Sequence, residues 1–464
     1  MKLVMKFGGT SVADGDRMKH VAELVKSYRD RGDQVAVVTS ALGGITDTIL
    51  DAANDAVSEG KVSQVKEFIA DITQKHHKAV HDAVSEDLAE EVIAELDARI
   101  EDIEKALTGI CYLGELTPRS IDYLSSYGER LAAPILSASI RTLGVESQSF
   151  TGGGIGIITD DNYGAAHPLD PTYTAVGEHI APLIEHTIPV ITGFIGESEH
   201  GIVTTLGRGG SDFTASIIGA AVNADEIWLW KEVHGIMTTD PKIVPEARPL
   251  PVISYIEAME MSFFGAKVLH PKAIEPAIRK GIPVRVKNTF DPEYPGTLVV
   301  KDEETSQNIV KAVTVVDKVA LINISGAGMV GTIGVAARAF SALANAGVNI
   351  KMISQGSSEA NMSTVVDESH AKKAVRALKQ EFRNGVVGEI EHDINISVVA
   401  VVGVGMAGTP GVAGRVFGAL GNNGVNVIMI SQGSSQHNIS FVVRKDTAAK
   451  AVRVLHKEFE LEKL

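Results

Sequence analysis

"MISQGSS" stands at 352–358 of this 464-residue chain and again at 429–435, and that repetition decides the fold of the C-terminal part. Sliding the chain by 77 positions (429 − 352) aligns "GMVGTIGVAARAFSALANAGVNIKMISQGSSEANMSTVVD" (328–367) with "GMAGTPGVAGRVFGALGNNGVNVIMISQGSSQHNISFVVR" (405–444), with 26 of 40 positions identical. Duplication of one small domain accounts for this. Within each copy the hydrophobic period changes in a fixed order. An apolar run ("VALINIS", "ISVVAVV") reads as a strand, and a glycine turn leads into helical spacing. Two more strand-like runs then flank a polar turn, and a second helix follows. That order is ferredoxin-like. The first copy retains "GVVGEIEHD" as a fourth strand, whereas the second has little left after its last helix. An unassigned run, "IVKAVTVV" (309–316), precedes both. The expectation is that this early strand completes the second copy, with the first inserted within it.

Both copies carry G-x-G-x-x-G between strand and helix, "GAGMVG" (326–331) and "GVGMAG" (403–408). A dinucleotide site would place an acidic residue at the end of the next strand. Here that strand ends in Ser354-Gln355 and Ser431-Gln432, so the nicotinamide reading fails. What remains is a glycine turn presenting helix N-terminal amides, suited to a small carboxylate, beside Gln and Ser side chains suited to an amino or hydroxyl group. Tight turns and a solvated loop would give the same letters. Paired units of this kind resemble ACT domains, regulatory modules that bind free amino acids.

The composition narrows the partners. With 43 basic against 58 acidic residues, a net charge of −15 and no basic stripe, a nucleic acid or anionic membrane is not expected. Cys111 is the single cysteine, which leaves no intrachain disulfide and fits a reducing cytosol. The start has too short an apolar stretch for a signal peptide. The most apolar segment, 396–414, is broken by five glycines and a proline, and so reads as strand–loop–helix rather than a membrane span. A cytoplasmic protein is expected.

Residues 1–300 alternate strand-like runs ("KLVMKFG", "QVAVVTSA", "IPVITGFIG", "EIWLWKEV", "IPVRVKN") with helical stretches, which argues for a mostly parallel sheet sandwiched by helices. Segment 45–107 reads as a helical excursion. His76, His77 and His81 within it have no carboxylate cluster and read as surface histidines; no metal ligands are assigned. "MKFGGTS" ends the first strand in Lys6 and continues into Gly8-Gly9, where amides and a point charge could meet phosphate oxygens. It is not a Walker A loop, and a glycine turn beside a solvated lysine would look alike. "VTSALGGITD" (38–47) ends another strand in Thr39-Ser40 and runs on to Thr46. "TTLGRGGSD" (204–212) sets Arg208 among three glycines, suited to clamping a carboxylate bidentately. Asp212, behind it, is either a helix cap or a site residue. "WKEVHGIMTTDP" (230–241) suits the edge of a nucleotide, and "FFGAKVLHP" (263–271) offers Lys267.

In this order, with "YGERLAA" (127–133) between them and paired ACT units behind, these stretches closely resemble the aspartokinases of the amino acid kinase family, over essentially the whole chain. The resemblance implies four segments: a catalytic domain at 1–300, a linker with the early strand at 301–317, and ACT domains at 318–392 and 393–464. It implies a monofunctional enzyme that transfers the γ-phosphoryl group of ATP, with Mg2+, to the β-carboxylate of L-aspartate. By resemblance Lys6 touches the transferring group, Gly8 and Gly9 donate amides, and Asp212 orients the lysine or the magnesium. Arg208 takes the α-carboxylate of aspartate and Glu129 its ammonium. Ser40, Thr46, Gly209, Gly210 and Ser211 line the same pocket. The nucleotide positions are Lys231, Glu232, Met237, Lys242, Lys267 and Val268. Glu232, Met237 and Lys242 depart from the family's usual residues there. The ACT pair implies feedback by an end product, read as L-threonine, at Gly331, Gln355, Ser357 and Gln432, and at least a homodimer. The alternatives are a kinase of glutamate or acetylglutamate, and a non-catalytic amino-acid sensor.

Overall fold

The computed structural model describes residues 1–265, 269–301, 309–383 and 385–464, and these fall into two units. The first comprises residues 1–236, 251–255 and 269–301; the second comprises 237–250, 256–265 and 309–464.

The first unit is built on eight strands in the spatial order Ser147–Phe150, Ile188–Thr192, Gln34–Thr39, Lys2–Phe7, Glu226–Lys231, Val284–Asn288, Thr297–Val300, Val252–Ser254. The first six run parallel, and Thr297–Val300 turns antiparallel to its neighbour Val284–Asn288. Runs such as "VAVV" are buried throughout, as strands covered on both faces require. Gly15–Asp30 packs with Tyr127–Thr142, and Pro171–His186 with Gly210–Val222. The central register sets Phe7 beside both Thr39 and Trp230, so three strands end level at their carboxyl edge. In an open α/β sheet that edge is where ligands bind.

The excursion after the second strand is helical, with Ile45–Glu59, Val62–Ala83 and Glu86–Leu113 sharing one core with the sheet. Its histidines are not all on the surface. His76 is fully buried, its Nδ1 2.7 Å from the Ile72 carbonyl, and burial lowers its pKa to about 4. The position falls on the apolar stripe of its helix with Ile72, Ala79 and Val80, which the polar composition of the segment concealed. His77 faces Asp97 at 2.7 Å. Among the described residues no group of three or more His, Cys, Asp or Glu is placed to hold a metal ion.

The second unit has one antiparallel sheet of six strands, in the order Ile350–Gln355, Asn361–Asp367, Ala312–Ser325, Glu389–Val402, Asn438–Arg444, Met429–Ser431. Two strands of fourteen residues run through both halves. Val319–Ser325 pairs with Asn361–Asp367 of the first copy, whereas Ala312–Val316 lies against Val398–Val402 of the second. A register shift and Lys318 at φ +59° separate the two halves. The cores divide at the same point: Ile322 and Ile324 pack with Leu343 and Leu378, while Val310 and Val313 pack with Leu420, Phe441 and Val452. The early strand thus shares sheet and core with the second copy.

Two stretches that precede residue 300 also pack in this unit. Thr238 Oγ1 meets His456 Nε2 at 3.0 Å, and the Thr238 carbonyl accepts the Val313 N–H at 2.9 Å. Glu257, fully buried, accepts the Val404 N–H at 2.9 Å and faces the buried Lys311 ammonium at 3.3 Å.

Candidate active site

Lys6, next to last in the first strand, is 7% exposed, and its Nζ lies 2.7 Å from Asp212 Oδ1. Asp212 sits in the first turn of helix Gly210–Val222, whose N-cap is Gly209 without a side-chain cap bond. It is therefore not the cap. Its other oxygen, Oδ2, accepts from Lys231 Nζ at 3.0 Å, and Lys231 ends the adjacent strand. Burial pushes the Asp212 carboxyl upward, but the Lys231 and Lys6 ammonium groups outweigh it and hold the group well below the ordinary carboxylate range. Burial draws Lys6 below its usual 10.5, aided by Lys231 and opposed by Asp212 and Glu129. One carboxylate thus holds two cations at the sheet edge of an otherwise acidic chain.

Glu129 reaches the same place from helix Tyr127–Thr142. Its neighbour Gly128 makes this possible: a Cβ there would lie 2.4 Å from Thr46 Oγ1 and 2.8 Å from Ala41 Cβ, so only glycine lets the helix rest on the 41–46 turn. A backbone hydrogen bond from Ala41 reaches the Glu129 carboxyl, while Oε2 is buried without a partner. Burial pushes this carboxyl up to about 8, against the backbone donors and Lys6. Thr46 is fixed against the helix start, and Ser40 donates its N–H to the Phe7 carbonyl at 3.2 Å.

Arg208 sits on the loop between strand Val203–Thr205 and helix Gly210–Val222. Gly207 and Gly209, at φ +74° and +76°, take the left-handed conformation that lets the loop turn on either side of it. The guanidinium is exposed and has no carboxylate partner among the described residues. Ser211 abuts Gly193, where a Cβ would come within 2.5 Å of the serine Cβ, and Gly210 closes on Phe194.

The structure brings Lys6, Asp212, Lys231 and Glu129 together, with Ser40 and Thr46 on the segment after the second strand and Gly209, Gly210 and Ser211 at the start of the helix that carries Asp212. Gly9 sits beside the Ala41 carbonyl, 3.4 Å from where a Cβ would stand. Gly8 departs from expectation as an amide donor: its N–H is spent on the Trp230 carbonyl at 3.2 Å, because the parallel ladder of the first strand continues one residue further. Glu232 is exposed. Met237 and Lys242 belong to the second unit, where Met237 bridges to Pro249 and the Lys242 N–H donates to Asp240 at 2.9 Å. Lys267 and Val268 lie outside the described residues.

The amino acid kinase family profile matches residues 1–288, and an ACT domain profile matches residues 322–382 and 399–459. Aspartokinase 1 of Arabidopsis thaliana is 37% identical over 98% of this chain and 80% of its own length. The chain belongs to the aspartokinase family. Among solved structures, Escherichia coli aspartokinase III in complex with aspartate and ADP matches with a TM-score of 0.79 at 30% identity, over 99% of both chains. The same enzyme with lysine and aspartate gives 0.80 at 30% identity, over 98% of this chain and 99% of that one. This aspartokinase is accordingly a kinase with ACT regulatory domains.

Two site features of the aspartokinase have no separate sequence signal. Phe194 takes φ +70°, a conformation costly for a bulky side chain, and its N–H is held by Thr214 Oγ1 at 3.0 Å. Asp122, inside a helical stretch with no motif around it, is buried. In the second unit, Gly331 and Gln355 line a cavity of about 310 Å³ with Thr332, Ile333, Glu359 and Met362, whereas Ser357 and Gln432 do not line it. Glu359 already accepts the Gly331 N–H at 3.0 Å, and Gln436 does the same for Gly408 at 2.8 Å in the second copy.

Proposed function

We propose that this aspartokinase phosphorylates the β-carboxylate of L-aspartate from MgATP, giving 4-phospho-L-aspartate, the first step towards lysine, threonine and methionine. The observation that carries the reading is the buried Lys6–Asp212 pair, joined by the half-buried Lys231, beside a Glu129 oxygen without a partner. A carboxylate nucleophile needs no general base at neutral pH; the barrier is the approach of two anions. Positioning and cations supply the catalysis in such transfers. Lys6 stabilises charge on the transferring group and Lys231 the phosphates behind it, while Asp212 keeps both aligned until the nucleotide arrives. Arg208 takes the α-carboxylate and Glu129 the ammonium, with Ser40, Thr46 and Ser211 along the substrate. One carboxylate among lysines suits a magnesium ion that arrives on the phosphates and keeps several waters. Trapping the acyl phosphate as a hydroxamate, with aspartate and glutamate side by side, tests the assignment: turnover of aspartate alone supports it, and equal turnover of glutamate contradicts it.

Glu129 makes the aspartate step depend on pH. Its carboxyl titrates at about 8 without substrate, and the ammonium binds the ionised form. The KM for aspartate is therefore expected to fall as pH rises from about 6.5 towards about 8 and then to level off. Glu129→Gln removes that slope. Unfolding shows the opposite trend: the folded state keeps a proton that the unfolded chain releases near 4.5, so stability falls as pH rises from there to about 8. Thermal unfolding of Glu129→Gln across that window should show a shallower decline.

The cavity at Gly331 and Gln355 is proposed to take the feedback effector, read as L-threonine, whose hydroxyl suits Gln355 and whose carboxylate would displace Glu359 from the Gly331 amide. Glu359 also gives lysine a partner for its ammonium, and the relative from E. coli was solved with lysine. Assays with each amino acid separate the two: threonine is expected to shift the apparent KM for aspartate by about 5- to 150-fold, the usual range of such coupling, and a response to lysine alone contradicts this. The interleaved ACT domains, a homodimer formed through them and a cytosolic location complete the proposal.

A further inference from the structure

Asp122 lies on the buried side of helix Pro118–Ser125 and is 1% exposed. Its Oδ2 accepts two backbone amides, Gly164 N–H at 3.0 Å and Thr205 N–H at 2.8 Å, and its Oδ1 accepts the Thr205 hydroxyl at 2.8 Å. Burial raises its pKa, and these three donors pull against that rise. A buried carboxylate held by dipoles alone is costly, so the position of those dipoles needs explaining.

Both partners lead to the Arg208 loop. Thr205 ends the strand three residues before Arg208. Gly164 belongs to the turn that supports the loop from outside: a Cβ on Gly207 would lie 2.9 Å from the Gly164 carbonyl oxygen. The carboxylate therefore ties the last strand residue to the turn under Gly207. On its other side, the Asp122 carbonyl accepts the Ser126 N–H at 3.1 Å, and helix Tyr127–Thr142 begins at once with Glu129 in its first turn. A single short segment thus carries Glu129 and grips the loop that carries Arg208.

We infer that Asp122 is a positioning residue that fixes the spacing between Arg208 and Glu129, and so sets how well the site holds the head group of an α-amino acid. The inference rests on the proposed roles of those two residues. A carboxylate that grips the backbone three residues before a loop guanidinium acts through backbone placement, where displacements near 1 Å can cost about 100-fold.

The test is a KM split on the full-length enzyme. Asp122→Ala is expected to raise the KM for aspartate by about 10-fold or more while the KM for ATP stays within about 2-fold. Asp122→Asn should rescue, because the amide oxygen can accept both N–H groups and the amide nitrogen can donate to the Thr205 hydroxyl. Should the alanine variant fail to fold, Thr205→Val keeps the backbone bond and removes only the hydroxyl, and a smaller rise confined to aspartate is expected. Equal changes in both KM values, or an asparagine variant as impaired as alanine, would overturn the inference. Arg208→Ala is measured alongside. If it leaves the KM for aspartate unchanged, the underlying role of Arg208 fails; if it raises that KM while Asp122→Ala does not, only the positioning role fails.

Discussion

Replacing Lys6 with methionine is expected to lower kcat by about 100- to 1,000-fold, the usual loss when one preorganised donor to developing charge is removed. The KM for aspartate should change little. The methionine fills much of the same buried space, and Asp212 keeps Lys231 as its partner at 3.0 Å, so the fold should survive with its thermal midpoint near that of the parent. The loss belongs to kcat because Lys6 is the cation proposed to meet the transferring group, whereas Lys231, one strand over, is proposed to meet the phosphates behind it. Steady-state kinetics with each substrate varied, together with a melting curve, separates this from general damage. A kcat within a few-fold of the parent would remove Lys6 from the chemistry.

The second large effect concerns Arg208. Its truncation to alanine is expected to raise the KM for aspartate by about 30-fold or more, since losing one partner of a charge-assisted pair costs about 2–5 kcal/mol. The KM for ATP should hold, because the lysine pair is held by Asp212 and not by the loop. Stability should hold as well, since the guanidinium is exposed and has no carboxylate partner among the described residues. Equal loss for both substrates would mean that the loop shapes the whole site rather than gripping one end of the amino acid.

Much of this was legible in the sequence because each feature is local in the chain. The duplication is visible as letters at an offset of 77, and a parallel sheet announces itself through continuous apolar runs. Lys6, Arg208 and Asp212 stand out because glycines follow the first, surround the second and precede the third. What the letters could not carry is the outcome of contacts between distant segments. Whether Asp212 capped its helix or met Lys6 depended on two strands and a helix converging. Gly8 donates its amide to the carbonyl of Trp230, more than two hundred residues away in sequence. His76 and Asp122 look like surface residues because nothing next to them in the chain records the neighbours that bury them. The second unit's hold on Thr238 and Glu257 is of the same kind, set by His456, Lys311 and Val404.

One buried carboxylate, Asp212, holds two lysines that are proposed to meet phosphate. A crystal structure with MgADP, aspartate and a planar fluoride mimic of the transferring group tests that role most directly. The Lys6 and Lys231 ammonium groups are both expected within hydrogen-bond distance of the mimic or its adjoining phosphates, with Asp212 still bridging them and Arg208 on the α-carboxylate. Either lysine turned away from every phosphate oxygen while its partner remained on Asp212 would contradict it.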